Sequence, residues 1–339
     1  MLIAIHPRHE SYSNEWIKYC NENNIAYKLV DCYNSDIIHQ LKDCDGLMWH
    51  WPHWDHKASL FARQLTISLE AIGKKVFPDT KTAWHYDDKV GQKYLLESLN
   101  AKLIPSFVFY SEIDALKWCD ETTFPKVFKL KGGASSMNVK LIKTRAEAKR
   151  YTHKAFGKGF SVVNRKSLFA DKFMEFGMHP GVKTLTGIIK GFLRLFISTN
   201  FERISGREKG YIYFQDFIPY NSFDTRIFVI GDYAFGARRF VRANDFRASG
   251  SHNADCDPAK IDLRCVKQAF EITARLQSQC VAYDFIFHQG EPLITEISYA
   301  SSIEVYRDFP GYWDKDLKWY NQKFIEEKFM IEDFIHSLS

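Results

Sequence analysis

The chain has 339 residues, a net charge of +5, 45% hydrophobic and 26% charged residues. This is the composition of a globular protein long enough to bury a sizeable core in two or three subdomains. The positive excess is too mild to argue nucleic acid and suits a phosphate-bearing substrate or an anionic surface. No stretch reaches the ~20 uninterrupted apolar residues of a membrane span. Seven cysteines (Cys20, Cys32, Cys44, Cys119, Cys256, Cys265 and Cys280) are scattered without a CxxC pair. An odd, unpatterned set indicates reduced thiols and a cytoplasmic protein. The start, MLIAIHPRHESYS, has no basic segment followed by a long apolar run, so no signal peptide is expected.

Short apolar runs predict strands at 2–5, 27–30, 46–49 and 75–78, with helices at 14–24, 36–41 and 58–72 between them. Such alternation predicts a small parallel sheet with helices on its faces. No GxGxxG follows the first strand, which disfavours a dinucleotide fold of the usual kind. The loop after the third strand, Trp49 to His56, holds three Trp and three His in eight residues. It lies at a carboxyl strand end, where open α/β sheets bind ligands. His50, His53 and His56 could ligate a metal. Pro52 breaks the spacing a chelate needs, which leaves substrate recognition or aromatic packing as the other readings.

A helix is predicted over 87–100. FPKVFKLKGGASSMNV (124–139) then reads as strand, glycine turn, strand, with Lys126, Lys129 and Lys131 among apolar residues. Such a turn can wrap phosphate through backbone N–H groups, or be only a hairpin tip. Residues 144–210 are helical in pattern and basic. Leu185, Ile188, Ile189, Phe192 and Phe196 share one helical face, and Lys183, Lys190 and Arg194 another. A basic amphipathic helix can lie on an anionic membrane surface. The alternative is a helix packed on its own domain with its lysines in solvent.

Strands are predicted at 211–217 and 224–231. Arg226, Arg238, Arg239, Arg242 and Arg247 concentrate around the second, a pattern suited to oxyanion clamping or to a solvated edge. A helix over 258–279 leads to a hairpin, VAYDFIFHQGEPLITEISYASS (281–302). With a three-residue turn at Gln289 to Glu291, Asp284 lies opposite Glu296. Asp284, Glu296 and Ser298 then share one face, and Tyr283, Phe285, Leu293 and Ile297 the other. Like charges directly opposite destabilise a sheet, and a hard cation with oxygen ligands on both sides would relieve that. A solvated polar face is the other reading. The last segment, 317–338, reads as a helix.

In order, Asp88-Lys89, FPKVFKLKGGASS, YFQDFIP, DTRIFVIG, NDFRASG and YDF…ITEIS resemble the ATP-grasp superfamily, and within it the RimK-like carboxylate–amine ligases. The resemblance covers about residues 85–302. It implies an α/β (α+β) ATP-grasp fold: an N-terminal domain over 1–88, a lid subdomain over 89–210 with a basic insertion at about 155–209, and a C-terminal subdomain over 211–339, the two subdomains gripping ATP. It implies that Lys89 and Lys129 contact phosphates, and that Gly132 to Ser136 form a mobile lid. Lys131, Gly133, Ser135 and Ser136 would be ATP-binding. Gln215, Asp216 and Phe217 would read adenine, and Asp224 ribose. Arg226, Arg239 and Arg247 would hold the γ-phosphate and an acyl phosphate. Asp284 and Glu296 would hold Mg²⁺ (or Mn²⁺), with Ser298 where the family usually has Asn.

The implied activity joins a small-molecule carboxylate to an amine through an acyl phosphate. The expected acid is a uronic or peptide-like acid, with a role in cell-surface polysaccharide biosynthesis. The alternatives are an ATP-grasp phosphotransferase and a nucleotide-responsive binding protein on an anionic membrane or glycan.

Overall fold

The structure, a computed structural model, describes all residues but 10, 53–54, 133–137, 164, 166–168, 170–171, 174–175, 178–180, 195–196, 198–201, 204–205, 242–245, 249–252, 301–308, 324 and 339. The chain divides into two compact units. One comprises Met1–Tyr86, Tyr94–Leu103 and Tyr220–Ser339, the other Asp87–Lys93 and Ile104–Pro219.

The first unit opens with a four-stranded parallel sheet. Its strands lie in the order Tyr27–Leu29, Ile3–Ile5, Gly46–Met48, Lys75–Phe77. Helices Ser13–Glu22, Ile37–Gln40 and His56–Ala71 join them, as the alternating pattern predicts. Asp55 starts the long helix by accepting the Ala58 N–H at 3.0 Å, an N-cap interaction. Trp16 from the first helix and Leu47 from the third strand are fully buried.

The same unit holds a seven-stranded antiparallel sheet. Its main path runs Glu291–Ser298, Cys280–His288, Phe223–Ile230, Tyr233–Phe240, Tyr312–Asp314, Trp319–Tyr320. The short strand Ala254–Asp255 pairs with Tyr233–Phe240. Alternation along Phe223–Ile230 decides what each face meets. Ile227 and Val229 pack with Tyr283, Phe285, Ile294 and Ile297 under the helix Leu263–Leu276, which presents Val266, Ala269 and Ile272. Phe228 and Ile230 turn the other way, with Phe235 and Ala282, into the core of the N-terminal sheet.

The end of the chain departs from the expected helix over 317–338. Leu317 has φ +60°, a left-handed conformation that ends any helix there, and Trp319–Tyr320 extends the sheet. The helix is Glu326–Leu338. The helix expected over 258–279 is a 3₁₀ turn, Pro258–Lys260, followed by Leu263–Leu276, whose first turn is capped by Asp262.

The second unit is built on a four-stranded antiparallel sheet in the order Ser106–Phe109, Ile212–Asp216, Lys126–Lys129, Lys140–Ile142. Helices Glu112–Glu121 and Arg145–Phe156 contribute Ala115, Cys119, Ala148 and Ala155 to a core with Phe128, Ile142 and Phe214. The basic stretch carries a further helix, Val182–Arg194. No described helix is long and apolar enough to cross a membrane.

Candidate active site

The sheet face that buries Phe228 and Ala282 turns charged at its other end. Two ladder registers place opposite charges across from each other: Asp224 with Arg239, and Arg226 with Asp284. Arg226 donates from Nε and Nη2 to the two Asp284 oxygens at 2.6 and 2.8 Å. Arg239 does the same to Asp224 at 2.7 and 2.6 Å, and its Nη2 also lies 2.8 Å from Asp284 Oδ2. The four side chains form one chain of alternating sign, Asp224–Arg239–Asp284–Arg226. Bidentate pairing of planar groups fixes orientation as well as charge.

The two carboxylates titrate apart. Burial alone would raise Asp284, but Arg226 and Arg239 outweigh it and hold the carboxyl well below the usual carboxylate range. Asp224 goes the other way: burial raises it, the Asp284 charge adds to that, and Arg239 offsets only part. Asp284 thus stays ionised between the two arginines.

The hairpin differs from expectation in its turn and keeps the pairing of its acids. The turn has two residues, Gln289 and Gly290, both at positive φ (+51° and +80°), where glycine is at ease. The missing residue reappears as a bulge: Phe285 pairs with Ile294, Asp284 with Glu296, and Thr295 has no partner across the ladder. Its hydroxyl donates to the Asp284 carbonyl at 3.1 Å. Leu293 therefore leaves the core face assigned to it, and Ile294 is buried there beside Phe285. The expected clash of Asp284 with Glu296 is met by two arginines, and Asp284 is buried, which removes the solvated-face reading.

The residues present fit a hard cation by donor type. Asp284 and Glu296 face each other, and Ser298 pairs with Ala282 two residues on. Three of about four lone-pair directions on the Asp284 carboxylate already meet guanidinium N–H groups, leaving room for one metal bond. The Ser298 hydroxyl donates to the Ala300 carbonyl at 2.8 Å, so only its oxygen lone pairs face outward. Among the described residues no group of three His, Cys, Asp or Glu could hold a metal unaided. The remaining ligands would come from water and nucleotide phosphates. Arg247 is half-buried on the described stretch 246–248. Arg242 and most of NDFRASG lie outside the described residues.

The second unit carries the other expected residues. Lys89 and Lys129 are buried. The Lys89 N–H donates to the Lys131 carbonyl at 2.9 Å, tying the start of its helix to the glycine turn. At that turn Glu208 accepts the Lys131 and Gly132 N–H groups at 3.2 and 3.3 Å, and the Tyr211 hydroxyl also donates to it. A carboxylate sits on the first amide of the expected phosphate cradle and on the Lys131 amide before it, and sequence spacing held no signal for it. Gly133, Ser135 and Ser136 lie outside the described residues. Gln215 lies on the central strand with its amide donating to Ser106 Oγ at 3.1 Å. Asp216 accepts from Lys126 Nζ at 2.6 Å and gives its N–H to Pro105. Phe217 follows directly, half-buried.

The Trp/His loop is mostly interior. Trp49, His50 and Trp51 are buried; His50 stacks on Tyr12 at 3.9 Å between ring centroids and meets Ser11 Oγ at 2.9 Å. The Tyr299 hydroxyl accepts the Trp51 N–H at 3.0 Å and donates to the Trp51 carbonyl at 2.9 Å. His53 and Trp54, and the His56 side chain, lie outside the described residues, so the three-histidine site has no support from the described positions. Sequence reasoning missed a neighbouring feature. An open cavity of about 610 Å³ at the carboxyl edge of the parallel sheet is lined by His6, Arg8, Asp31, Tyr33, Asp55 and Lys57. Arg8 pairs with Asp55, and Lys57 Nζ lies 3.8 Å from the centre of the Tyr33 ring.

Residues 196–309 match the family model of the RimK-like ATP-grasp domain. No curated protein sequence matches the chain. Among solved structures, a RimK-domain ATP-grasp protein from Sphaerobacter thermophilus DSM 20745 is 15% identical, with 88% of this chain and 90% of that one covered and a TM-score of 0.51. D-alanine–D-alanine ligase from Bacillus anthracis complexed with ATP is 14% identical, with 99% and 97% covered and a TM-score of 0.55. D-cycloserine synthetase DcsG is 11% identical over the whole of both chains, with a TM-score of 0.58. The Asp–Arg array and its hairpin fall inside the matched segment, and the chain has the fold of these ATP-grasp structures, with residues 196–309 similar to the RimK-like ATP-grasp domain.

Proposed function

We propose that this protein is an ATP-dependent carboxylate–amine ligase. The observation that carries the reading is the array Asp224–Arg239–Asp284–Arg226 with Glu296 opposite Asp284, on the segment that matches the RimK-like domain. A carboxylate is a poor acyl donor because its leaving group is an oxide. Transfer of the ATP γ-phosphoryl group to the acid gives an acyl phosphate; the amine then attacks the carbonyl, the C–O bond to phosphate breaks, and an amide forms. Arg226 and Arg239 would neutralise oxygen charge as it develops. Asp284, Glu296 and the Ser298 oxygen would hold Mg²⁺, which when bound would screen phosphate charge. Lys89 and Lys129 would meet the phosphates, Lys131 and Gly132 to Ser136 would cover them, and Gln215 to Phe217 would take the adenine. Asp224 would reach the ribose, although its pairing with Arg239 means it must share that role.

The acid would be a uronic or peptide-like one in cell-surface polysaccharide synthesis. The cavity at the parallel-sheet edge, where Arg8 is paired with Asp55 and Lys57 lies over Tyr33, is a candidate for part of its seat. Incubation with ATP, Mg²⁺, candidate acids and hydroxylamine tests the reading. ADP and a hydroxamate are expected. Intact nucleotide binding with neither product from any acid overturns it, and a stable phosphorylated acid without amine dependence assigns a phosphotransferase instead.

A further inference from the structure

We infer that the helix Val182–Arg194 is a peripheral membrane-binding element that docks on an anionic lipid surface. Its sequence, VKTLTGIIKGFLR, holds three basic and no acidic residues. Leu185, Ile189, Phe192 and Leu193 are between 47% and 55% exposed, and Phe173 and Ile197 beside the helix are 60% and 59% exposed. These values leave Leu185, Ile189 and Leu193 largely uncovered, whereas Ile188 is half-buried and the Phe192 ring meets Phe169.

The helix packs through a different face. A Cβ added at Gly187 would lie 3.6 Å from Lys172 Cδ, and one at Gly191 3.2 Å from Phe169 Cδ2. At about 100° per residue the two glycines lie roughly opposite the arc of Leu185, Ile189, Phe192 and Leu193. The helix thus meets Phe169 and Lys172 along its glycine face, the Phe192 ring lies 6.2 Å from that of Phe169, and Leu185, Ile189 and Leu193 face outward. Lys190 and Arg194 fall within about 40° of each other on that wheel, on the side of the helix away from the arc and next to the glycines, with Lys190 the nearer to Leu193. Both are exposed, and neither forms an ion pair among the described residues.

An apolar arc on one side of a helix and cations without acidic neighbours on the other is the pattern of helices that lie in the headgroup layer, with the arc among acyl chains and the cations reaching up to lipid phosphates. Charge complementarity selects the occupant. A second copy seated on the same face would bring like charges together, whereas an anionic bilayer brings opposite ones. Exposed apolar clusters of this size on a folded protein mark interaction surfaces. The docking does not depend on the ligase reading.

The test is co-sedimentation of the full chain with vesicles of phosphatidylcholine alone and of phosphatidylcholine mixed with phosphatidylglycerol. Pelleting is expected only with the anionic vesicles and is expected to fall with added salt. Lys190→Glu with Arg194→Glu should weaken it on the order of tenfold or more. Ile189→Asp with Phe192→Glu should abolish it. Amides of residues 182–194 should gain protection from hydrogen exchange on the vesicles, a readout that follows the helix itself. Hydroxamate formation in solution should be the same for both variants as for the wild type, which separates this result from the ligase test. Wild-type protein left in the supernatant with anionic vesicles overturns the inference. So does equal pelleting of both variants, or a concentration-dependent dimer that disappears in Ile189→Asp with Phe192→Glu, which would make a second copy the occupant.

Discussion

Arg226 holds Asp284 with two parallel hydrogen bonds of 2.6 and 2.8 Å across the strand ladder. Because both groups are largely buried, the carboxylate has a structural task in addition to any metal it holds. Asp284→Asn removes a charge shared by Arg226 and Arg239 and leaves two guanidiniums under-compensated, at a cost of about 3–5 kcal/mol. Glu296 is half-buried, so Glu296→Gln should leave the melting temperature almost unchanged. Both variants should lose ATP-dependent hydroxamate formation, Glu296→Gln by on the order of 100-fold. Thermal denaturation beside an ADP assay separates them; full activity in Glu296→Gln would remove Glu296 from the chemistry.

Ser298 stands where the resembling family usually has Asn, and its hydroxyl proton is committed to the Ala300 carbonyl. Ser298→Asn adds a longer oxygen ligand beside Glu296. The Mg²⁺ concentration for half-maximal activity should fall severalfold in this variant. An unchanged or higher requirement would mean that the metal does not reach this position.

His85 is fully buried, and burial pushes its imidazole down to about 4. Between pH 6.5 and about 4 the unfolded chain carries a proton there that the folded chain does not. Stability from this residue is therefore full above about 6.5 and declines as pH falls, by up to about 3 kcal/mol near pH 4. Urea denaturation across that range should show a stability difference between wild type and His85→Gln that shrinks or reverses as the pH drops. A difference independent of pH would show that the imidazole titrates alike in both states.

Tyr299 satisfies both backbone polar groups of Trp51 through one hydroxyl. Tyr299→Phe leaves a buried N–H and a buried carbonyl without that oxygen and should cost about 2–4 kcal/mol. Trp51→Ala should cost about 3–5 kcal/mol through the cavity it opens. Alanine keeps the Trp51 N–H and carbonyl and Phe keeps the Tyr299 ring, so the two variants remove different contacts. Chemical denaturation of the singles and the double should give losses that add to within about 1 kcal/mol, and a larger coupling would show that the Trp51 ring holds its backbone on the hydroxyl.

Much of this molecule was legible in the chain. Apolar runs located the two inner parallel strands, Ile3–Ile5 and Gly46–Met48, because strands covered on both faces must be apolar throughout. The edge strands Tyr27–Leu29 and Lys75–Phe77 showed as shorter runs carrying one exposed lysine each. The facing of Asp284 and Glu296 was legible because alternation with period two depends only on register. Turn length was not: a three-residue turn and a two-residue turn with a bulge place the same residue opposite Asp284, and they differ over residues 291–295, which exchanges Leu293 for Ile294 on the core face. The arginines read as anion clamps. Their pairing with Asp224 and Asp284 needed the registers of three strands together, which no single segment contains. Tyr312–Asp314 and Trp319–Tyr320 are too short for a period to show, so the second was absorbed into the helix that follows. Glu208 reaches the glycine turn from some 76 residues away in the chain, beyond any motif.

The bulge at Thr295 also bears on which insertions and deletions the hairpin can absorb. Loss of Thr295 would bring Glu296 directly after Ile294 and keep it opposite Asp284, with Ile297 opposite Tyr283 and Ser298 opposite Ala282. Loss of any single residue between Glu296 and Tyr299 would instead shift the chain into Trp51 and break the hydroxyl contact there. A library of single-codon deletions across 289–299 should therefore return its functional clones at Thr295.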